Sequence, residues 1–307
     1  MPIFKINNST LESIKEVSLP LEKDIQKITE ENLETVFGLK FVSTEFSLHN
    51  LRIDTLAFDE ENKSFVIIEY KKDRSFSVVD QGFAYLSLML NNKADFILEY
   101  NEKMKNGLSR QDIDWSQSRV MFLANSFTTY QQNAINFRDL PIELWEFKKY
   151  DNQTILYNQL KAIDTKESIN TISQDETVKN VSREVKKYSI DDHFKSGWDK
   201  SREIFDEIRE RILILDGRIE EKPVQQYIGY QINRKNIVEL SARQSKVVLS
   251  LLRVKPEDLN DPENRTTYQK DSMRYYNKHI TNMDIQSIED IDYAVSLIKQ
   301  VYGKFFK

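Results

Sequence analysis

Residues 52–72 read RIDTLAFDEENKSFVIIEYKK, and this stretch decides the fold of the first half of the chain. Two largely apolar segments flank the polar turn DEENK, a pattern that predicts two strands of a hairpin. The hairpin brings Asp54 and Glu69 to neighbouring strand positions, while Glu69 and Lys71, two residues apart, emerge on one face. Two carboxylates and one ammonium therefore converge, a set that suits a hard divalent cation able to activate water for phosphodiester cleavage.

The segments around this hairpin predict an alternation of helices and strands. Apolar residues at helical spacing or in short buried runs give the order α-β-β-β-α-β-α-β. The predicted helices cover residues 21–37, 78–90 and 128–136, and the predicted strands cover 39–45, 51–58, 65–70, 119–124 and 142–147. This order predicts an α/β domain in which helices flank a mixed sheet.

The composition changes near the middle of the chain. Residues 163–189 are rich in Thr, Ser, Asn, Asp, Glu and Lys and poor in large apolar side chains, which predicts a linker or irregular segment. Beyond it, a helix, several strands and a closing amphipathic helix predict a smaller α+β domain. We therefore divide the chain into domains at 1–160 and 199–307, joined by a segment at 161–198.

The composition also excludes several classes of site. The 307-residue chain contains no cysteine, which excludes disulfides, cysteine-ligated zinc and thiol catalysis, and its three histidines argue against a histidine-rich metal site. The absence of a run of about 18 apolar residues argues against a transmembrane helix. The N-terminus lacks a signal-peptide core, so we expect a cytoplasmic protein. The net charge is −5, so nucleic-acid binding requires a local basic patch.

The order of the polar residues resembles that of the PD-(D/E)XK nuclease superfamily. Asp54 stands at the position of that family's aspartate, with Ile53 in place of the preceding proline, and EYK at 69–71 is similar to its E-x-K. Gln81 and Tyr85 are similar to the Q-x-x-x-Y of the NucS-like and RecB-like branches. The family's restriction-endonuclease-like fold, a mixed sheet flanked by helices, matches the predicted order of elements.

Other segments resemble a group of bacterial proteins whose C-terminal domain is of the DUF5655 type, a domain of unknown function. The similar segments are EKDIQ at 22–26, ENLE at 31–34, RIDTL at 52–56, IEYK at 68–71, residues 238–261 and DIDYA at 290–294. The resemblance thus covers most of the chain apart from the predicted linker.

The resemblance implies a role for each matching residue. Asp54, Glu69 and the main-chain carbonyl of Tyr70 would bind Mg²⁺, or Mn²⁺ in its place. Lys71 would orient the attacking water and stabilise the phosphate in the transition state, and Gln81 would position the nucleophile. Glu31, Glu45 and Tyr85 would support this centre. Independently of the resemblance, the basic run that contains Lys72 and Arg74 predicts either phosphate contacts or a solvated turn.

Other interpretations of these residues remain open. Asp54, Glu69 and Lys71 can form a cross-strand salt bridge at a sheet edge, and the helix acids can simply be solvated. The resemblance implies a metal-dependent endonuclease that acts on DNA, in repair or in defence. The alternatives are a nucleic-acid-binding module that does not cleave and a protein-interaction module whose C-terminal domain binds a partner. A homodimer is compatible with each, since many nucleases of this superfamily dimerise.

Overall fold

The structure of the chain is a computed structural model. It describes residues 2–17, 22–49, 51–71, 77–105, 107–137, 140–161, 168–169 and 175–306. The chain divides into two compact units, Met1–Lys187 and Tyr188–Lys307, and each is described by itself.

The first unit combines strands and helices in an alternating order. Its strands are β1 (Ile3–Asn7), β2 (Thr10–Ile14), β3 (Glu16–Val17), β4 (Lys40–Leu48), β5 (Leu51–Asp59), β6 (Ser64–Lys71), β7 (Arg119–Ala124), β8 (Ile142–Tyr150) and β9 (Ile155–Leu160). Its helices are α1 (Glu22–Glu31), α2 (Leu33–Phe37), α3 (Val78–Asn91), α4 (Lys93–Met104), α5 (Thr129–Ala134) and α6 (Glu176–Glu184), with 3₁₀ turns at Arg110–Asp112 and Trp115–Gln117.

Seven of these strands form one mixed sheet. The strand order is β3-β8-β7-β6-β5-β4, and β9 pairs with β8. Strands β6, β7 and β8 are parallel, whereas β4, β5 and β6 pair antiparallel, as β8 does with β3 and β9. Helices cover both faces, so the predicted mixed sheet flanked by helices is confirmed. Strands β1 and β2 form a separate hairpin.

Strand β6 lies at the centre of the sheet and is buried on both faces. Phe65 and Ile67 pack in the core that contains residues of α3 and α4, whereas Val66 and Ile68 pack in the core that contains residues of α1 and α2. Because side chains alternate along a strand, Glu69 follows Phe65 and Ile67 onto the α3 face. The polar end of β6 therefore emerges beside the first turns of α3.

A glycine lets α3 approach the sheet closely. A Cβ atom at Gly82 would lie 2.4 Å from Cδ1 of Ile142 on β8 and 2.9 Å from its Cγ1. Gly82 follows Gln81 directly, so this close approach also sets the distance from Gln81 to the end of β6. The glycine is kept in a helix interior although alanine is intrinsically better there by about 1 kcal/mol.

We expect Gly82→Ala to destabilise the protein by about 1 kcal/mol. Overpacking against Ile142 costs roughly 1–3 kcal/mol, which exceeds the gain in helix propensity. In an Ile142→Val background the nearest clashing carbon is gone and the γ carbon at 2.9 Å remains, so the same substitution should destabilise the protein less than it does in the wild type. Urea unfolding of the four proteins of this cycle measures the coupling. Stabilisation by Gly82→Ala in the wild-type background would show that the contact with Ile142 does not limit the approach.

Part of the predicted linker is helical and belongs to the first unit. Helix α6 carries Val178 and Val181, and these side chains, with Val185 just beyond it, are buried in the core that also contains residues of α3. The three valines lie at i, i+3 and i+7, a helical stripe that the surrounding polar residues obscure. Asp175 begins the helix by accepting hydrogen bonds from the N–H groups of Thr177 and Val178.

The second unit is an antiparallel sheet covered by helices, so the predicted α+β domain is confirmed. Its strands are β10 (Glu220–Pro223), β11 (Ile228–Ile232), β12 (Lys235–Arg243), β13 (Lys246–Leu252), β14 (Thr266–Tyr268) and β15 (Ile280–Ile285), and its helices are α7 (Asp199–Leu213), α8 (Ser272–Tyr276) and α9 (Ile291–Phe305). The strand order is β10-β11-β12-β13-β15-β14. Helices α7 and α9 share one core with alternate residues of β11, β12 and β13.

The described residues include no helix that combines the length and apolar character needed to span a membrane.

Candidate active site

The pairing of β5 with β6 brings the two predicted carboxylates together. Thr55 pairs with Ile68 in an antiparallel register, so the next step of the ladder sets Asp54 opposite Glu69. The side chain of Asp54 also contacts β6: its Oδ2 accepts a hydrogen bond of 3.0 Å from the backbone N–H of Tyr70. The carboxylate of Asp54 is thereby fixed at the end of β6.

Glu69 is the most deeply buried member of the group. Its side chain is 6% exposed, and its Oε1 accepts a hydrogen bond of 2.8 Å from Nζ of Lys71. Gln81 Nε2 approaches the same oxygen at 3.4 Å. The other oxygen, Oε2, is buried and accepts no hydrogen bond within the described part of the chain. Burial of a carboxylate oxygen without a hydrogen-bond donor costs free energy, and a cation bound to this atom would offset that cost.

Tyr85 connects α3 to β5 beside the carboxylates. Its hydroxyl donates to the main-chain oxygen of Arg52 at 3.2 Å, and Gln81 Nε2 lies 3.4 Å from the same hydroxyl. Gln81 and Tyr85 are four residues apart, so they occupy one face of the helix. Ser77 caps this helix through the N–H of Asp80, which directs the first turn toward the site.

Both carboxylates have a raised pKa in the folded protein. Burial raises the pKa of Glu69 and the charge of Asp54 raises it further, whereas Lys71 and the nearby Tyr85 hydroxyl lower it. Burial also raises the pKa of Asp54, although the N–H of Tyr70 and the charge of Lys71 lower it. The positive charge of Lys71 therefore does not compensate the pair. A hard divalent cation, which prefers carboxylate oxygens, would compensate the remaining negative charge of the pair.

The pH dependence of stability should show the destabilising effect of the buried charge of Glu69. A carboxylate with a raised pKa in the folded state contributes stability below its unfolded pKa, about pH 4, that is lost as the pH rises through the folded value. In EDTA, Glu69→Gln should therefore gain in unfolding midpoint relative to wild type as the pH rises from 4 to 8. Thermal unfolding across this range measures the difference, with Glu34→Gln, an exposed acid on α2, as the control. A difference that does not change with pH would contradict the prediction.

A second polar network supports Asp54 from the opposite side of the sheet. Gln26 Nε2 on α1 donates to the main-chain oxygen of Asp54 and to Oε1 of Glu30, each at 3.0 Å. The same Glu30 oxygen accepts a 2.6 Å hydrogen bond from Thr55 Oγ1, and the Tyr70 hydroxyl lies 3.2 Å from Thr55 Oγ1. These contacts hold the backbone of β5 in place next to its carboxylate. The sequence pattern did not identify Gln26 or Glu30; their spacing of four residues on α1 is the signal that could have.

The other predicted acids form no hydrogen bond or ion pair with this group among the described residues. Glu31 is exposed at the end of α1. Glu45 lies on β4 with φ +49°, on the ladder step opposite Asp54, between the pairs Thr44–Thr55 and Phe46–Ile53. Its carboxylate is 3.9 Å from Lys23 Nζ and 3.8 Å from Arg52 Nη1. The predicted phosphate contacts, Lys72 and Arg74, lie outside the described residues.

The carboxylate group is a pair rather than a larger cluster. Within the described ranges, no three His, Asp or Glu side chains are arranged so that they could hold a metal ion. A cation at Asp54 and Glu69 would take its remaining ligands from main-chain oxygen, water or substrate, as Mg²⁺ commonly does. The carbonyl of Tyr70, predicted as such a ligand, stays a prediction.

Two comparisons relate the sequence to known proteins. The family model "Domain of unknown function (DUF5655)" matches residues 190–304, within the second unit. An "Uncharacterized protein" of Haemophilus influenzae is 40% identical over 301 residues, which cover 98% of this chain and 99% of the relative.

The similar solved structures match a smaller part of the chain. A repair endonuclease from Pyrococcus abyssi is 16% identical with a TM-score of 0.22, covering 39% of this chain and 45% of that one. EndoMS in complex with double-stranded DNA is 16% identical with a TM-score of 0.26, covering 42% of this chain and 57% of that one. The alignments thus span about half of each solved chain. The Haemophilus influenzae relative, by contrast, is matched along nearly its whole length at 40% identity. This chain therefore belongs to the same protein family, with a DUF5655 domain at residues 190–304.

Proposed function

We propose that the first unit is a metal-dependent nuclease that hydrolyses phosphodiester bonds in DNA. One observation carries the proposal: Glu69 Oε2 is buried and accepts no hydrogen bond from the residues that the structure describes, beside a second carboxylate and an ammonium group that is bonded to Oε1. A carboxylate pair with a cationic side chain and an amide on one sheet face matches the chemical needs of phosphoryl transfer. DNA as the substrate follows from the resemblance of Asp54, Glu69, Lys71, Gln81 and Tyr85 to the nuclease motif.

Asp54 and Glu69 are the residues that would hold Mg²⁺ or Mn²⁺. When bound, the ion would lower the pKa of water and shield the charge that develops on the phosphate. Asp54 is oriented for this role by the N–H of Tyr70, and Glu69 by the hydrogen bond from Lys71. Both carboxylates are held before any substrate arrives, so the ion meets a preorganised pair.

Lys71 and Gln81 place polar hydrogens beside the carboxylates. The ammonium of Lys71 would stabilise negative charge on the phosphate and orient the attacking water. The amide of Gln81 bridges Glu69 and Tyr85, so it is positioned to hold that water or to keep Glu69 in place. Tyr85 in turn ties α3 to the main chain of Arg52 and fixes the distance between helix and hairpin.

A salt bridge without further function explains these contacts less well. Lys71 donates to one oxygen of Glu69, the other accepts no hydrogen bond from the described part of the chain, and Asp54 adds a second negative charge. A purely structural ion pair gains little from a second buried carboxylate, because desolvation of each charge is expensive. The arrangement is therefore better suited to binding a cation than to stabilising the fold.

Cleavage of DNA by the full chain tests the proposal. Supercoiled plasmid, single-stranded DNA and branched DNA would be incubated with Mg²⁺, with Mn²⁺ and with EDTA. We expect cleavage of at least one substrate with a divalent cation and none with EDTA. Absence of cleavage on every substrate, together with absence of Mn²⁺ binding by calorimetry, would overturn the proposal in favour of an interaction module.

A further inference from the structure

One end of the second unit's sheet gathers basic and aromatic side chains. Strand β12 begins, β13 ends and β15 begins at this end, since Ile232 pairs with Lys235 and Leu252 with Ile280. The turn before β12 and the loop at 269–279 therefore leave the same end of the sheet, with the end of β13 between them. We name this surface, formed by residues 233–235 and 269–279, the basic end of the sheet.

The basic end carries exposed positive charges, whereas a groove along α7 is lined mainly by acidic residues. Lys235, Lys270 and Arg274 are exposed there, and within residues 233–235 and 269–279 the exposed acid is Asp271; Glu257 and Asp258 are exposed on the loop that follows β13. Glu239, which is buried behind them, is 3.6 Å from Lys278 and contributes no free negative charge. Acidic side chains collect instead along a groove of α7: Asp199, Glu203, Asp206, Glu207 and Glu210. The uneven distribution gives an acidic chain a local surface that attracts polyanions.

The same surface exposes two consecutive tyrosines. Tyr275 is 60% exposed and Tyr276 is 39% exposed, whereas most other aromatic rings of this unit are packed. The guanidinium of Arg274 lies 5.6 Å from the centre of the Tyr275 ring. Neighbouring residues of a helix diverge by about 100°, so the two rings offer separate platforms rather than one.

The short helix that carries these tyrosines is firmly held. Ser272, the first residue of α8, is fully buried, and its Oγ lies 3.1 Å from the Tyr268 hydroxyl and accepts from the N–H of Ile280. The Tyr268 hydroxyl is also 2.9 Å from Nδ1 of His279. Both ends of the loop are therefore fixed to the sheet. Rings presented on a held backbone lose little entropy when a base stacks on them.

We propose that the basic end of the sheet binds single-stranded nucleic acid. Cations that follow a phosphate backbone, combined with exposed rings on which bases stack, are the features that recognise unpaired strands. Met273 is also exposed on this helix, but Lys270 and Arg274 add positive charge beside the rings, which favours a polyanion over an apolar protein surface. The inference rests on the proposed function only in taking the bound strand to be the substrate; binding itself does not require cleavage.

Fluorescence anisotropy of the full chain tests this surface. A labelled single strand, its duplex and a heparin competitor would be titrated in EDTA, so that binding is measured without cleavage. We expect tighter binding of the single strand than of the duplex, and a loss of about 5- to 150-fold for Tyr275→Ala. Arg274→Gln should weaken binding and lower the salt slope by about 0.7 if it removes one phosphate contact.

Tyr130→Ala is the matched control, because this tyrosine on α5 of the first unit is 89% exposed. It should bind like the wild type, and thermal unfolding should be unchanged for both tyrosine variants. Wild-type affinity in Tyr275→Ala, or equal losses in both tyrosine variants, would overturn the proposal. Glu69→Gln separates the two proposals: strand binding in EDTA should survive that substitution even if the chain cleaves nothing.

Discussion

Glu69→Gln should abolish metal-dependent cleavage while leaving the fold intact. We expect a loss of at least about a thousandfold, since removing one of two charged ligands forfeits several kcal/mol of transition-state stabilisation. Glutamine has the same shape as glutamate and can still accept the hydrogen bond from Lys71. It also removes a buried charge whose pKa is raised by burial and by Asp54, so stability should not fall.

Single-turnover cleavage and Mn²⁺ calorimetry together measure this effect. The variant should lose both cleavage and Mn²⁺ binding, whereas Glu34→Gln should retain both, because that acid is exposed on α2. Loss of cleavage with unchanged Mn²⁺ binding would show that Glu69 is not a ligand of the metal ion. Cleavage within about tenfold of wild type would remove Glu69 from the catalytic centre.

The sequence was sufficient to bring the central residues together because their proximity is local. Asp54 and Glu69 belong to one hairpin, and a two-residue alternation sets Glu69 and Lys71 on one side of it. Gln81 and Tyr85 follow on the next helix, where a four-residue spacing defines a face. The structure places these side chains within hydrogen-bonding reach of one another, as the periodicity predicts.

Contacts between distant elements were harder to infer. The resemblance suggested Glu31 as a supporting acid, and the acid of α1 that reaches Thr55 on β5 is its neighbour Glu30. A shift of one residue turns a helical side chain by about 100°, and the apolar stripe of α1 is too sparse to fix its rotation from sequence. Helix α6 was also missed, since it has few apolar residues within a polar stretch, and the short hairpin of β1 and β2 was not predicted.

Lys71→Met should separate cleavage from metal binding. Loss of a cation aimed at the developing phosphate charge costs about 100- to 1000-fold in rate. The same ammonium competes with a metal ion for Glu69 Oε1, so its removal should leave Mn²⁺ affinity unchanged or increased. Lys40→Met is the control, because Lys40 pairs with Glu60 in an exposed bridge of 3.2 Å.

The purely structural interpretation of the same ion pair makes the opposite prediction. If Lys71 only neutralises Glu69, then Lys71→Met leaves a buried carboxylate unpaired and lowers stability, and Mn²⁺ does not restore it. If Asp54 and Glu69 form a metal site, Mn²⁺ binds the two carboxylates that Lys71 no longer neutralises. It then raises the unfolding midpoint of the variant more than that of the wild type. Thermal unfolding with and without Mn²⁺ therefore distinguishes a salt bridge from a metal centre, even before a substrate is known.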